Sequence, residues 1–161
     1  MISLEGLKPE QREAAETVEG PVLILAGAGS GKTRTVTYRI AHMLKNLRIP
    51  GNQILAVSFT NKAATEMKER VGHLVDARSR KGVTLSTFHS LGIRILREDI
   101  HHLGYNNLFT IYDQADQMSI VREALKNYRS GKNFDRSTIM AKIGLLKNKG
   151  ISAEEFTKSS E

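Results

Sequence analysis

Residues 26 to 33 read Ala-Gly-Ala-Gly-Ser-Gly-Lys-Thr and follow directly on an apolar run, Pro21-Val22-Leu23-Ile24-Leu25. A buried strand, a glycine-rich turn and Lys-Thr opening a helix make the sequence form of a phosphate cradle. In such a cradle consecutive backbone N–H groups converge on phosphate oxygens, and small side chains let the backbone come close. The helix starting near Gly31 adds its own unsatisfied N–H groups and the positive end of its dipole. That chemistry assigns Ala26, Gly27, Ala28, Gly29, Ser30 and Gly31 to the cradle. Lys32 reaches the terminal phosphates of a nucleotide, and the Thr33 hydroxyl completes the shell of a Mg2+ ion. The widespread form of the motif begins with Gly where this chain has Ala26. A residue that small enters the turn wherever its φ is negative. The plainer alternative is a glycine loop that only joins strand to helix.

Charge distribution points the same way. Formal net charge is +7, and no acidic residue occurs between Glu19 and Glu66, while Lys32, Arg34, Arg39, Lys45, Arg48 and Lys62 fall inside that interval. A site for polyanions has this character. At 161 residues the chain is long enough for one domain with its own core. No apolar run reaches the ~20 residues of a membrane span. The first residues, Met-Ile-Ser-Leu-Glu-Gly, lack the basic start and apolar stretch of a signal peptide. Cysteine is absent, which excludes disulfides and thiolate metal sites. A cytoplasmic protein is the expectation.

Periodicity predicts a helix from Pro9 to Val18, a buried strand over Val22 to Leu25, and a helix from Lys32 with Val36, Ile40, Met43, Leu44 and Leu47 on one face. Ile54 to Phe59 reads as a second buried strand. Thr60 or Asn61 then caps a helix carrying Ala64, Met67 and Val71. After the basic loop Arg78 to Lys81, Val83 to Ser86 reads as a short strand, and Phe88, Leu91, Ile95 and Leu96 as the stripe of another amphipathic helix. This alternation at βαβ spacing predicts a parallel sheet with helices on both faces. Beyond Gly104, apart from Phe109-Thr110-Ile111-Tyr112, only helices are predicted. They run from about Asp113 to Tyr128, from about Ser137 to Lys147, and from a capping box at Ser152 and Glu155. Asn127 to Asp135 reads as a loop. His42, His73, His101 and His102 lack trusted metal-ligand spacing and read as surface or packing residues.

Hydrolysis at a phosphate loop needs a second element, an apolar strand ending in Asp with another acid beside it. Neither Val57-Ser58-Phe59 nor Leu85-Ser86-Thr87 ends in an acid. Asp113 is the one candidate by position, and capping of the following helix accounts for it better. A chain built this way holds a nucleotide without the parts to hydrolyse it well.

Four segments occur in a telling order: Leu7-Lys8-Pro9-Glu10-Gln11-Arg12, Ala26 to Arg34, Ile54 to Arg70, and Thr87-Phe88-His89-Ser90. Through them the chain resembles the N-terminal part of superfamily 1 DNA helicases of the UvrD, Rep and PcrA type. Phe109 to Asp113 with Asp116-Gln117 is similar to the start of that family's inserted helical subdomain. The resemblance implies an α/β fold, with an incomplete, parallel RecA-like P-loop sheet flanked by helices over residues 1–106. The start of an all-α inserted subdomain over 107–161 would follow. It implies ATP and Mg2+ as cofactors, with single-stranded DNA and duplex junctions as partners, and movement of the 3′–5′ type. Gln11 would read adenine through its amide, and Arg34 would lie against the adenine ring. Phe59, Thr60, Asn61 and Lys62 would touch single-stranded DNA, the ring stacking on bases and the polar groups meeting phosphates. Thr87 and His89 would make a second contact.

Residues alone leave alternatives open. Phe59 also fits the core end of a buried strand, Gln11 a water-facing helix position, and His89 a capping or packing histidine. The resemblance carries one substitution, Ser58 where the family usually has Thr. It also implies that the acidic pair, the phosphate-sensing arginines and a second RecA-like domain lie beyond residue 161. Two rival readings remain: a self-contained small kinase or nucleotide-binding regulatory module, and a DNA-binding module with no enzymatic role.

Overall fold

Two of the three predicted apolar strands find each other. In the computed structural model, which describes residues 1–27, 29–126 and 135–158, β1 (Leu55–Ser58) and β2 (Thr84–Thr87) pair in parallel. Their register sets Leu55 opposite Thr84 and Ser58 opposite Thr87. The crossover between them is α3 (Asn61–Leu74) and the basic loop. The third predicted strand is corrected. Val22 to Leu25 is in no strand, and Leu23 and Leu25 are 81% and 86% exposed. An apolar run becomes a strand only where a neighbour offers a ladder of hydrogen bonds. Among the described residues, β1 and β2 pair only with each other, and no strand lies alongside 22–25.

The described residues form a mixed α/β structure with that two-stranded sheet and seven α-helices. They fall into two compact units, Met1–Asn107 and Leu108–Glu161. In the first, α2 (Lys32–Lys45) and α3 supply the core: Ile40, Ala41 and Leu44 pack with Met67 and Val71, together with Ile54 and Val75. Ile40, Leu44, Met67 and Val71 are apolar positions the 3.6-residue period selects, whereas Leu47, expected on the same face, lies beyond α2 and is 45% exposed. A smaller cluster joins Leu4, Leu7 and Ala15, the last on α1 (Pro9–Glu16), with Tyr38 of α2 packed against it. Arg39 ties these two helices further, donating to the carbonyls of Ala14 (2.7 Å) and Thr17 at the α1 C-terminus. Those carbonyls have no partner inside their own helix. Asn46 pins the start of the chain, its Oδ1 accepting from Ile2 N at 2.7 Å and its Nδ2 donating to Ile2 O at 3.1 Å.

Helix α4 (Phe88–Asp99) departs from expectation. It contains no buried residue, and Ile95 and Leu96 are 51% and 40% exposed. Its apolar stripe has the right period, but the described residues place too little against it to cover it. Nor is the basic loop wholly solvated: Arg80 is half-buried, its guanidinium lying against Gly72.

In the second unit, side chains start all three helices. Asp113 and Asp116 bond each other's backbone N–H at 2.9 and 3.0 Å before α5 (Gln114–Lys126). Asp135 accepts from Ser137 and Thr138 to start α6 (Arg136–Asn148). Ser152 and Glu155 form the capping box of α7 (Ala153–Lys158). Hydrogen bonds from the Ser137 and Thr138 side chains hold the Asp135 carboxyl well below the usual carboxylate range. Residues 127–134 of the predicted loop lie outside the described residues. Phe109 to Tyr112 forms neither helix nor strand.

Lys45 of α2 donates to Asp76, which also accepts from the backbone and hydroxyl of Ser79, each at 2.9 Å. The Lys45 hydrogen bond, followed by those from Ser79, pulls the Asp76 carboxyl far below its ordinary value. A carboxylate with a depressed folded pKa stabilises fully above its unfolded value and loses that contribution as pH falls through the folded value. Asp76→Asn is therefore expected to melt below the parent at neutral pH. The gap should close as pH drops under about 3.9; a gap that stays constant through the acid range in thermal melts would refute the linkage.

Candidate nucleotide and nucleic-acid sites

Glycine shapes the start of α2. Gly29 and Gly31 have φ of 75° and 89°, a left-handed conformation that L side chains resist. Gly31 is the N-cap of α2 and offers no side-chain acceptor, whereas Thr60, Thr87 and Asp135 cap α3, α4 and α6 through side-chain oxygens. The first-turn N–H groups of α2 are thus left without a cap, the arrangement that suits an anion.

Lys32 bends back over the loop, its Nζ donating to the carbonyls of Ala26 (2.7 Å) and Gly27 (2.8 Å). Ser30 Oγ also donates to Gly27 O, at 2.7 Å. From α1, Gln11 Nε2 donates to Ser30 O at 2.9 Å, while Gln11 Oε1 accepts from Lys8 N at 3.2 Å. A cavity of about 340 Å³ opens here, lined by Gln11, Ala26, Gly27, Ser30 and Lys32 among others. The structure therefore brings one adenine candidate, Gln11, to the same cavity as the loop.

Other candidates stand apart. Thr33, half-buried in the first turn of α2, does not line the cavity. Arg34 donates to Gly6 O at 2.9 Å, with its guanidinium carbon 5.6 Å from the centre of the Tyr38 ring. It faces the N-terminal segment. Ala28 lies outside the described residues.

A second group gathers where β1 and β2 end. Phe59 is 87% exposed, so the core alternative for it is excluded. Thr60 caps α3, its Oγ1 accepting from Ala63 N at 3.1 Å, and Asn61 and Lys62 are exposed on the first turn. Thr87 is buried, and its hydroxyl is engaged with Ser90, accepting from the backbone N at 3.1 Å and donating to Oγ at 2.9 Å. His89 is exposed on the next turn.

Sequence reasoning missed Phe88. Its ring centre is 5.4 Å from that of Phe59, with the planes tilted by 47°, and it is half-exposed. A signal was present. Ser58-Phe59-Thr60 and Thr87-Phe88-His89 both place Phe directly after a strand-ending hydroxyl residue. The parallel register of Ser58 with Thr87 then sets the two rings side by side.

A mixed α/β unit, with a glycine-turned loop opening an uncapped helix and an aromatic pair at the strand ends, defines the class. Residues 7–161 match the family described as the UvrD/REP helicase N-terminal domain, and the chain belongs to that family. It is 46% identical over 156 residues to a Bacillus subtilis protein named ATP-dependent DNA helicase PcrA, covering 96% of this chain and 21% of the relative. Proteins of the same name from Staphylococcus aureus (strain NCTC 8325) and Staphylococcus epidermidis (strain ATCC 12228) are 47% and 44% identical. Those matches cover 90% and 98% of this chain, and 20% and 22% of the relatives. The chain spans about a fifth of the length of these relatives.

An added Cβ on Gly31 would sit 2.8 Å from Gln11 Nε2, on a backbone already left-handed. Gly31→Ala is expected to cost about 1–2 kcal/mol, read as a lower urea midpoint. An unchanged midpoint would show that the turn does not need glycine.

Proposed function

We propose that this chain is the ATP- and single-stranded-DNA-binding N-terminal part of an ATP-dependent DNA helicase of the 3′–5′ type. The observation that carries the nucleotide half is the uncapped start of α2 beneath a loop held by Lys32 and Gln11. In this reading the loop and first turn belong to an incomplete RecA-like P-loop sheet. The inserted helical subdomain begins in the second unit.

In the bound state the Lys32 contacts to the loop carbonyls would give way to contacts with the triphosphate. Lys32 leaves the Ala26 and Gly27 carbonyls for the terminal phosphates, while Gln11 meets adenine. Arg34 joins the ring after releasing Gly6. Mg2+ would be held through the Thr33 hydroxyl, half-buried in the first turn of α2, while the Thr35 hydroxyl is engaged with Gly31 O. Magnesium commonly keeps waters and phosphate oxygens for its remaining positions, so a single hydroxyl suits it. It would supply charge neutralisation at the terminal phosphates. Relatives carrying "DNA helicase" in their names support the DNA half. Phe59, with Phe88 beside it, offers ring faces to bases without regard to sequence. Asn61, Lys62, His89 and the helix starts meet phosphates at a strand or duplex junction.

Among the described residues no strand ends in the acidic pair that hydrolysis needs, so this chain alone binds with negligible turnover. Stepping along DNA then requires the second RecA-like domain of a longer protein. No described helix is long and apolar enough to cross a membrane, and a cytoplasmic setting is in keeping with that.

Two binding measurements test the proposal. Lys32→Ala should weaken magnesium ATP by about tenfold or more, the scale of a charge-assisted hydrogen bond, in a fluorescent-nucleotide titration. Phe59→Ala should weaken oligo-dT by about tenfold, as loss of one stacked base does, while leaving ATP affinity unchanged. Parent-like affinities in both variants would overturn the reading, and phosphotransfer from ATP to a small acceptor would favour a kinase instead.

A further inference from the structure

Gln11 makes contacts that reading a base does not require. Its side-chain amide is held at both ends. Lys8 N–H can only donate and Ser30 C=O can only accept, so these partners fix Oε1 toward Lys8 and Nε2 toward Ser30. The helix that carries it is also fixed, since Ala15 of α1 is fully buried and Arg39 holds the α1 C-terminus. The bond reaches across 19 positions of sequence to one peptide unit, Ser30–Gly31.

That peptide unit decides where the loop aims. No peptide bond in the described residues is cis. In a planar trans peptide the C=O and the following N–H point in opposite directions. Holding the Ser30 carbonyl toward α1 therefore turns the Gly31 N–H away from α1, at the entrance to the uncapped turn of α2. Gly31, at φ 89°, has no side chain to fix its own peptide, and Ser30 Oγ is engaged with Gly27 O. A flip of this peptide would present a carbonyl oxygen to an anion where a donor should stand.

We propose that Gln11 is a positioning residue for the phosphate loop, holding the Ser30–Gly31 peptide so that its N–H faces bound phosphate. This rests on the phosphate-loop reading above and assigns Gln11 a role that persists when no base is present. A residue that reads adenine alone would be silent toward a ligand without adenine.

Magnesium tripolyphosphate is that ligand, titrated calorimetrically into the full 161-residue chain. Gln11→Met keeps side-chain length and removes the donor, and Lys32→Ala reports on the loop itself. The expected result is that Gln11→Met weakens tripolyphosphate by about two- to tenfold, the range of one hydrogen bond, and Lys32→Ala weakens it as well. The Gly31 amide resonance of ligand-free Gln11→Met should also shift from the parent position. Gln11→Asn, too short to span Lys8 and Ser30 together, should reproduce both effects and serves if the Met variant does not fold. If Lys32→Ala loses affinity while both Gln11 variants bind tripolyphosphate as the parent does, the positioning role is overturned and the phosphate loop stands. If Lys32→Ala also binds as the parent does, the phosphate-loop reading falls with it.

Discussion

The left-handed turn at Gly31 is the constraint on which the rest of this structure depends. It lets the chain change direction between the loop and α2 while contributing no side-chain oxygen to the helix start. Helices α3 to α7 start beneath a hydroxyl or carboxylate, whereas α1, whose N-cap is Lys8, and α2 do not. Of these two, the exception at α2 falls beside the glycine-rich segment and its lysine. The neighbouring side chains are arranged around that exception: Lys32 and Ser30 bond loop carbonyls, and Gln11 approaches so closely that a Cβ at Gly31 would be 2.8 Å away. The loop leads into a helix whose far end is fixed by Ile40, Ala41 and Leu44 in the core.

The strand ends follow a different rule. Both β1 and β2 run out into a threonine whose hydroxyl caps the next helix, with a phenylalanine next to the cap. Capping uses the hydroxyls, so what remains for a ligand is the ring faces and the exposed polar groups of the first turns. This separates two kinds of recognition within one unit. A bare helix start suits concentrated phosphate charge, and ring faces beside capped starts suit stacked bases on a dispersed backbone.

Much of this was legible in the sequence because the information is local. The Thr60 cap, the Ser152–Glu155 box and the capping role of Asp113 each need only a few neighbouring residues to be read. Helices α2 and α3 declared the centre of their buried faces, Ile40, Leu44, Met67 and Val71, through period, but not the buried Thr35, Thr37 and Ala41. The strand at Val22 to Leu25 was misread because strand formation depends on a partner, which composition does not reveal. The stripe on α4 failed similarly: Phe88, Leu91 and Ile95 share a face, but a face becomes core only if something packs on it. Phe88 escaped for a related reason. Its significance lies in the register between two strands, and register is a property of the sheet. The amide of Gln11 was assigned to a base from resemblance, while its contact with Ser30, across 19 positions, is visible only in three dimensions.

The two sites also share a mechanical element. Helix α2 begins at the phosphate loop and α3 begins at Thr60, beside the Phe59 ring. Between them lies a single buried cluster in which Ile40, Ala41 and Leu44 meet Met67 and Val71. Close-packed interiors do not deform continuously; displaced elements move together or repack. The uncapped N–H groups of α2 point along its axis, toward the loop. Helix α3 is keyed into the same cluster through Met67 and the fully buried Val71. The start of α2 and the start of α3 are thus joined through one packed cluster rather than by a direct contact between the loop and the aromatic pair.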